Sequence, residues 1–125
     1  MELAREEAIE QHRDMWNRIY EHCNERGSSE EKFDPFTVKA IALKEMNNGK
    51  LPELRYNCYL CDYAYEKRGC LDCPIDWGRE ICGDRRSAYG KFISANSNKE
   101  ASVYALRIRD LKERKNNETN KKRSG

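Results

Sequence analysis

Along residues 4–25, Ala8, Ile9, Met15, Trp16, Ile19, Tyr20 and Cys23 recur at three- and four-residue steps, with His12 in the same register. Glu6, Glu7, Arg13, Asp14, Asn17 and Arg18 take the opposite face. That periodicity predicts a long amphipathic helix, ended by "ERGSSEEK" with Gly27 as its terminator. A second helix is predicted from Asp34-Pro35, an N-cap residue followed by proline at the first helical position. Its expected apolar side is Val38, Ile41, Ala42 and Met46, and "NNG" should stop it. After "KLPELRYN" and a Cys-rich stretch, "SAYGKFISA" suits a short helix burying Tyr89, Phe92 and Ile93. Ser97-Asn98-Lys99-Glu100 then has the form of a capping box. The helix it opens carries Ala101, Tyr104, Ala105, Ile108 and Leu111 on one side.

Two strongly patterned helices thus bracket a Cys-rich centre, and neither can bury its stripe alone. The expected fold is a mainly α, small helical domain, with N- and C-terminal helices packed around a central zinc-binding centre that could include short β-hairpin knuckles. One domain is expected over residues 1–114, followed by a disordered basic tail over 115–125, where no apolar residue occurs. Composition sharpens this picture, since 37% of the 125 residues are charged and only 38% are hydrophobic. A core that thin benefits from a chemical staple. Charge is also uneven: residues 1–34 hold ten acidic and five basic side chains, while 106–125 hold eight basic and three acidic ones.

The staple is expected in "CYLCDYAYEKRGCLDCPIDWGREIC", which places five of the six cysteines within residues 58–82. The acidic start "MELAREEAIE" has no apolar stretch of the signal-peptide kind, and no run approaches the ~20 apolar residues that span a bilayer. A cytoplasmic location, no membrane association and reduced thiols are therefore expected, favouring metal over disulfides. Cys58-x2-Cys61 and Cys70-x2-Cys73 form two chelating pairs of the kind that complete a tetrahedral zinc site. Cys82 competes with Cys70 for the fourth position, because the 61-to-70 spacing recurs from 73 to 82. The candidate ligands are four of Cys58, Cys61, Cys70, Cys73 and Cys82. Pro74 cannot donate an N–H to a cysteine sulfur, a departure from an ordinary knuckle. Zinc is expected to draw the first helix, through Met15, Trp16 and Ile19, against Tyr104, Ile108 and Leu111. An iron–sulfur cluster fits the spacing poorly, and no βαβ pattern supports a thiol oxidoreductase.

Other chemistry-bearing residues have plainer expected roles. Cys23 and His12 belong to the apolar face of the first helix, His12 as a packed histidine with a satisfied ring nitrogen. His22 is expected at the surface. Trp16 and Trp77 are expected in the core, Trp77 shielding the metal from water.

Three blocks resemble a group of small Cys-rich proteins encoded by phages and prophages: "EEAIEQHRDMWNRIYE", "YNCYLCDYAYEKRGCLDCPIDWGREIC" and "YGKFISANSNKEASVYALRIRDLKER". Together they cover a little over half of the chain, with "DPFTVKAIALKEMNNGK" as an additional helical insert. The resemblance implies a phage accessory protein with bound zinc, and no established chemistry.

No Gly-rich phosphate loop, G-x-S-x-G, H-E-x-x-H or deaminase signature occurs, so no catalytic residue and no enzyme activity are expected. The favoured function is a protein–protein interaction module acting on a host or phage protein. The alternative is a nucleic-acid-binding module using Arg107, Arg109, Arg114, Lys115, Lys121, Lys122 and Arg123. Lys67, Arg68, Arg85 and Arg86 would add charge, and Tyr59, Tyr63 and Tyr65 would stack on bases.

Overall fold

The computed structural model describes residues 4–26, 32–54, 58–64, 67, 73–78, 82 and 84–114. Among the described residues, five helices run in the order α1 (Arg5–Glu25), α2 (Pro35–Met46), α3 (Tyr59–Ala64), α4 (Ala88–Ile93) and α5 (Asn98–Arg109). The described residues contain no strand, only an isolated antiparallel bridge between Ile75 and Glu113. The mainly helical expectation therefore holds. The expected tail at 115–125 lies outside the described residues.

Local chemistry sets most helix ends. Asp34 caps α2 by accepting from the Phe36 and Thr37 N–H groups at 3.0 and 3.3 Å, and from the Thr37 hydroxyl at 2.9 Å. These bonds, the Thr37 hydroxyl foremost, hold its carboxyl below the usual range. The helix stops where Asn48 and Gly49 take φ values of 56° and 86°, and the Gly49 N–H returns to the Lys44 carbonyl at 2.7 Å. Left-handed residues at this position satisfy carbonyls that the helix leaves open. At α5, the Ser97 hydroxyl accepts from the Glu100 N–H at 3.1 Å.

The apolar stripe of α1 is used twice. Met15, Trp16, Ile19 and Cys23 share the main core with Val38, Ala42 and Leu43 of α2, Phe92 of α4, and Ala101, Ala105 and Ile108 of α5. Fully buried Ala101 and Ala105 give the bulky α1 side chains room to settle against α5. Trp16 meets Phe92 edge-on at 4.9 Å and Tyr89 at 5.8 Å, tying α4 to α1. The other end of the stripe, Ala8 and Ile9, covers a second cluster of Leu60, Cys73 and Ile75, with Cys58, Tyr63, Trp77 and Leu111 against it. Direct apolar contact thus joins α1 to α5, and Leu111 belongs to the second cluster rather than to the α1–α5 seam. The cysteines sit at one end of that seam.

The buried side of α2 differs from the expected one. Val38, Lys39, Ala42 and Leu43 are buried, whereas Ile41 and Met46 are half-buried. Docking along α1 selects a face turned by about one residue, which carries a lysine inward and leaves Phe36 64% exposed.

Candidate metal centre

Cys58 accepts the first turn of α3, its carbonyl bonded by the Asp62 N–H at 3.0 Å. The first cysteine pair therefore heads a short helix, in place of the expected β-hairpin knuckle. This geometry turns the Cys61 N–H onto the Cys58 sulfur at 3.3 Å. Cys73 lies on a segment pinned from outside: the Arg114 N–H bonds the Pro74 carbonyl at 2.7 Å and the Asp76 N–H bonds the Lys112 carbonyl at 2.9 Å. The 111–114 strip is held in turn by α1. Arg5 donates to Glu113 and the Arg114 carbonyl, and Arg13 donates to the Leu111 carbonyl. Cys82 is fixed through its carbonyl, which accepts from the Ser87 hydroxyl at 2.8 Å just before α4. Ser87 also caps α4 by accepting from the Gly90 N–H at 3.0 Å.

Among the described residues, no three His, Cys, Asp or Glu side chains stand ready-made as a metal-binding group. Cys58, Cys61, Cys73 and Cys82 are nevertheless electrostatic neighbours, and all four carry free thiols. The neighbouring Cys58 and Cys82 sulfurs, ahead of burial, raise the Cys61 thiol. Cys61 in turn lowers Cys58 to about 6, helped by the Cys61 and Leu60 N–H groups and by Lys39 against the effect of burial. Cys61 likewise lowers Cys82. Cys73 is raised by burial, opposed by the Ile75 N–H and the Trp77 indole, and feels the charges of Cys58 and Cys82. These shifts mark Cys58, Cys61, Cys73 and Cys82 as electrostatic neighbours. Sulfurs of a zinc tetrathiolate are ~3.8 Å apart, from a Zn–S bond of about 2.3 Å, so the side chains would have to draw together around an ion.

The surroundings suit thiolates. The donor denied by Pro74 is supplied one residue later by Ile75. The buried Trp77 Nε1 makes no regular hydrogen bond, and the indole favours the Cys73 thiolate against burial. Backbone and indole N–H groups on sulfur are what a cluster of anionic ligands needs in a half-buried site. Cys70, expected among the ligand candidates, lies outside the described residues.

Lys39 was not legible as a site residue. It is 7% exposed, its Nζ lies 3.3 Å from the Tyr89 hydroxyl and 5.1 Å from the ring centroid, and its charge reaches Cys58 and Cys82. No single-sequence signal distinguishes it from the exposed Lys44 of the same helix.

Cys23 is fully buried in the main core, where burial pushes its thiol up to about 11. His12 is buried as expected, between Trp16 and Trp77 at 6.4 and 6.2 Å, but neither ring nitrogen has a regular hydrogen-bond partner. Burial, then Arg13 and Lys39, push its pKa down to about 3, against a small opposing pull from the Ile108 carbonyl. His22 is half-buried, with Nε2 at 2.9 Å from Glu45.

The expected basic surface is largely engaged within the chain. Arg109 contacts Asp110 at 2.9 Å and donates to Asn17 at 2.8 Å, Arg86 contacts Asp84 at 3.2 Å, and Arg107 lies over the Tyr104 ring. Tyr59 is buried, and Lys67 covers the Tyr63 ring at 4.2 Å. Tyr65, Arg68, Lys115, Lys121, Lys122 and Arg123 lie outside the described residues. No described helix is long and apolar enough to cross a membrane. No protein-family model, curated protein or solved structure matches the chain.

Proposed function

We propose that Cys58, Cys61, Cys73 and Cys82 hold one zinc ion, and that the chain is a cytoplasmic, non-catalytic interaction module built around that centre. The observation that carries this reading is Cys58 packed in one cluster with Cys73 while its sulfur accepts the Cys61 N–H at 3.3 Å, with Cys82 an electrostatic neighbour of Cys61. Cys82, a neighbour of Cys61, takes in this reading the position for which Cys70 is the rival. Four thiolates fill a tetrahedral ion and leave no open position for a substrate, which favours a structural role.

The partner is a protein rather than a nucleic acid. Arg86 and Arg109 already face carboxylates, and the exposed side of α1 mixes Asp14, Glu21 and Glu25 with Arg18 and His22, which pair with Asp14 and with Glu45 of α2. A polar surface of mixed sign suits a protein partner better than a run of phosphates. The resemblance to phage and prophage proteins supplies the class of partner, a host or phage protein.

Elemental analysis and cobalt substitution of single Cys→Ser variants test the centre. About one zinc per chain is expected, with the thiolate–cobalt absorption lost on replacing Cys58, Cys61, Cys73 or Cys82 and kept on replacing Cys70. Zinc-free or brown, iron-rich protein would overturn the reading. For the partner, affinity capture with nuclease treatment should retain the captured protein. Heparin retention that falls steeply with salt would instead establish nucleic-acid binding.

A further inference from the structure

We infer that Cys58 and Cys61 form a dithiol that closes to an intramolecular disulfide by exchange with low-molecular-weight disulfides, a modification site that does not depend on the zinc reading. The turn into α3 builds it. Cys58 stands at the N-cap, since its carbonyl accepts the first helical bond from the Asp62 N–H at 3.0 Å. An N-cap side chain folds back over the N–H group three residues on, as the Ser97 hydroxyl does over Glu100. At α3 that third residue is itself a cysteine, and the Cys58 sulfur accepts its N–H at 3.3 Å. The cap thus carries one sulfur to the backbone of the other. Three positions along a helical turn separate Cα atoms by about 5 Å, within the ~4.4–6.8 Å that a disulfide spans. Closure therefore needs rotation of side chains and no movement of the backbone.

The other described cysteines are less suited. Cys23 is fully buried in the main core, and Cys73 is buried on the segment that the 112–114 strip pins by backbone bonds. Cys82 is half-buried like the pair, but it is anchored through its carbonyl to Ser87 rather than to α3. In the exchange, one thiolate of the pair attacks a sulfur of the reagent, giving a mixed disulfide and releasing one reagent thiolate. The second cysteine then attacks the protein sulfur of that mixed disulfide, and the second reagent thiolate leaves. Two protein thiols are oxidised, one reagent disulfide is reduced to two thiols, and the two protons pass to the departing thiolates. A metal and a disulfide cannot share these sulfurs, so closure would also withdraw two of the four thiolates proposed above.

The test uses full-length protein, reduced, stripped of metal with a chelator, incubated with oxidised glutathione, alkylated and mapped by peptide mass spectrometry. Wild type should lose two of its six thiols and the mass of two hydrogens, retain no glutathione on the pair, and show a Cys58–Cys61 linkage that dithiothreitol reverses. Cys58→Ser keeps a capping side chain and should instead retain glutathione on Cys61, as Cys61→Ser should on Cys58. Circular dichroism checks that all three proteins are folded. The cap turn orders the backbone between the two sulfurs in advance. Folded protein should therefore keep the disulfide at a glutathione ratio at least about tenfold more reducing than the same protein in urea. Stable glutathione adducts on the wild-type pair, a linkage from Cys61 to Cys82 or Cys73, or equal closure in the folded and unfolded chain would each overturn the inference. Because no metal is present, such a failure is separate from failure of the zinc reading, which elemental analysis decides.

Discussion

Gly90→Ala is the sharpest test of how α4 and the turn before it are built. A methyl added at Gly90 would stand 2.3 Å from the Asp84 carbonyl oxygen and 2.7 to 2.8 Å from the Arg85 backbone. Ordinary contact begins near 3.4 Å, so the turn must retreat by roughly 1 Å, and backbone cannot swing aside as a flexible side chain does. That turn carries the Ser87 hydroxyl, which bonds the carbonyls of Cys82 and Asp84 at 2.8 and 2.7 Å. Alanine favours a helix interior over glycine by ~1 kcal/mol, whereas overpacking costs about 1–3 kcal/mol and occasionally more. With backbone as the obstacle the overpacking cost lies at the upper end, so the net effect should be a loss of about 2 kcal/mol, a drop of roughly 8–10 °C in Tm for a domain of this size. Thermal melting by circular dichroism measures it. Lys91→Ala on the exposed side of the same helix is the control, gaining propensity without the clash. Because Cys82 hangs on the displaced turn, Gly90→Ala should also weaken zinc in a chelator competition. A variant that melts at or above wild type would refute the close approach and the account of how Cys82 is placed.

Two further expectations concern α1. The His12 pKa is held near 3, below its ordinary value of 6.5, so the unfolded chain binds the proton more readily than the folded one. This contribution to stability is complete above about pH 6.5 and is lost as pH falls towards 3, by up to about 1.4 kcal/mol per pH unit. Urea midpoints between pH 7 and pH 5 should fall less steeply for His12→Met than for wild type, and equal slopes would contradict the buried neutral ring. Deleting 115–125, which has no apolar residue, should leave Tm unchanged, whereas deleting 112–125 should cost about 2 kcal/mol. The larger deletion removes the two backbone bonds to the Cys73 segment and the Arg5–Glu113 pair. Indistinguishable melting of the two truncations would show that the strip does not hold the cysteine loop.

The sequence by itself determined what is local. The 3.6-residue rhythm of α1 and α5, the Asp34-Pro35 start and Asn-Asn-Gly stop of α2, and the Ser97 cap all involve residues within a few positions of one another. Hydrogen bonding and side-chain spacing on that scale do not depend on the rest of the chain. The Cys58–Cys61 pair was legible for the same reason, its N–H···S bond closing within four residues. The choice among more distant cysteines was not. The sequence spacing treated Cys70 and Cys82 as rivals, and the bond from the Ser87 hydroxyl to the Cys82 carbonyl is a contact that spacing does not show. The inward lysine of α2, the pairing of 111–114 with the Cys73 segment, and the unpartnered ring of His12 were likewise invisible in the pattern. Each depends on residues far apart in sequence, such as Lys39 and Tyr89 or Pro74 and Arg114. A helix pattern names a buried stripe to within one residue's rotation. The side chain at its edge turns inward or outward only when the neighbouring helix docks, because the free energy of that choice lies in contacts the helix does not make with itself.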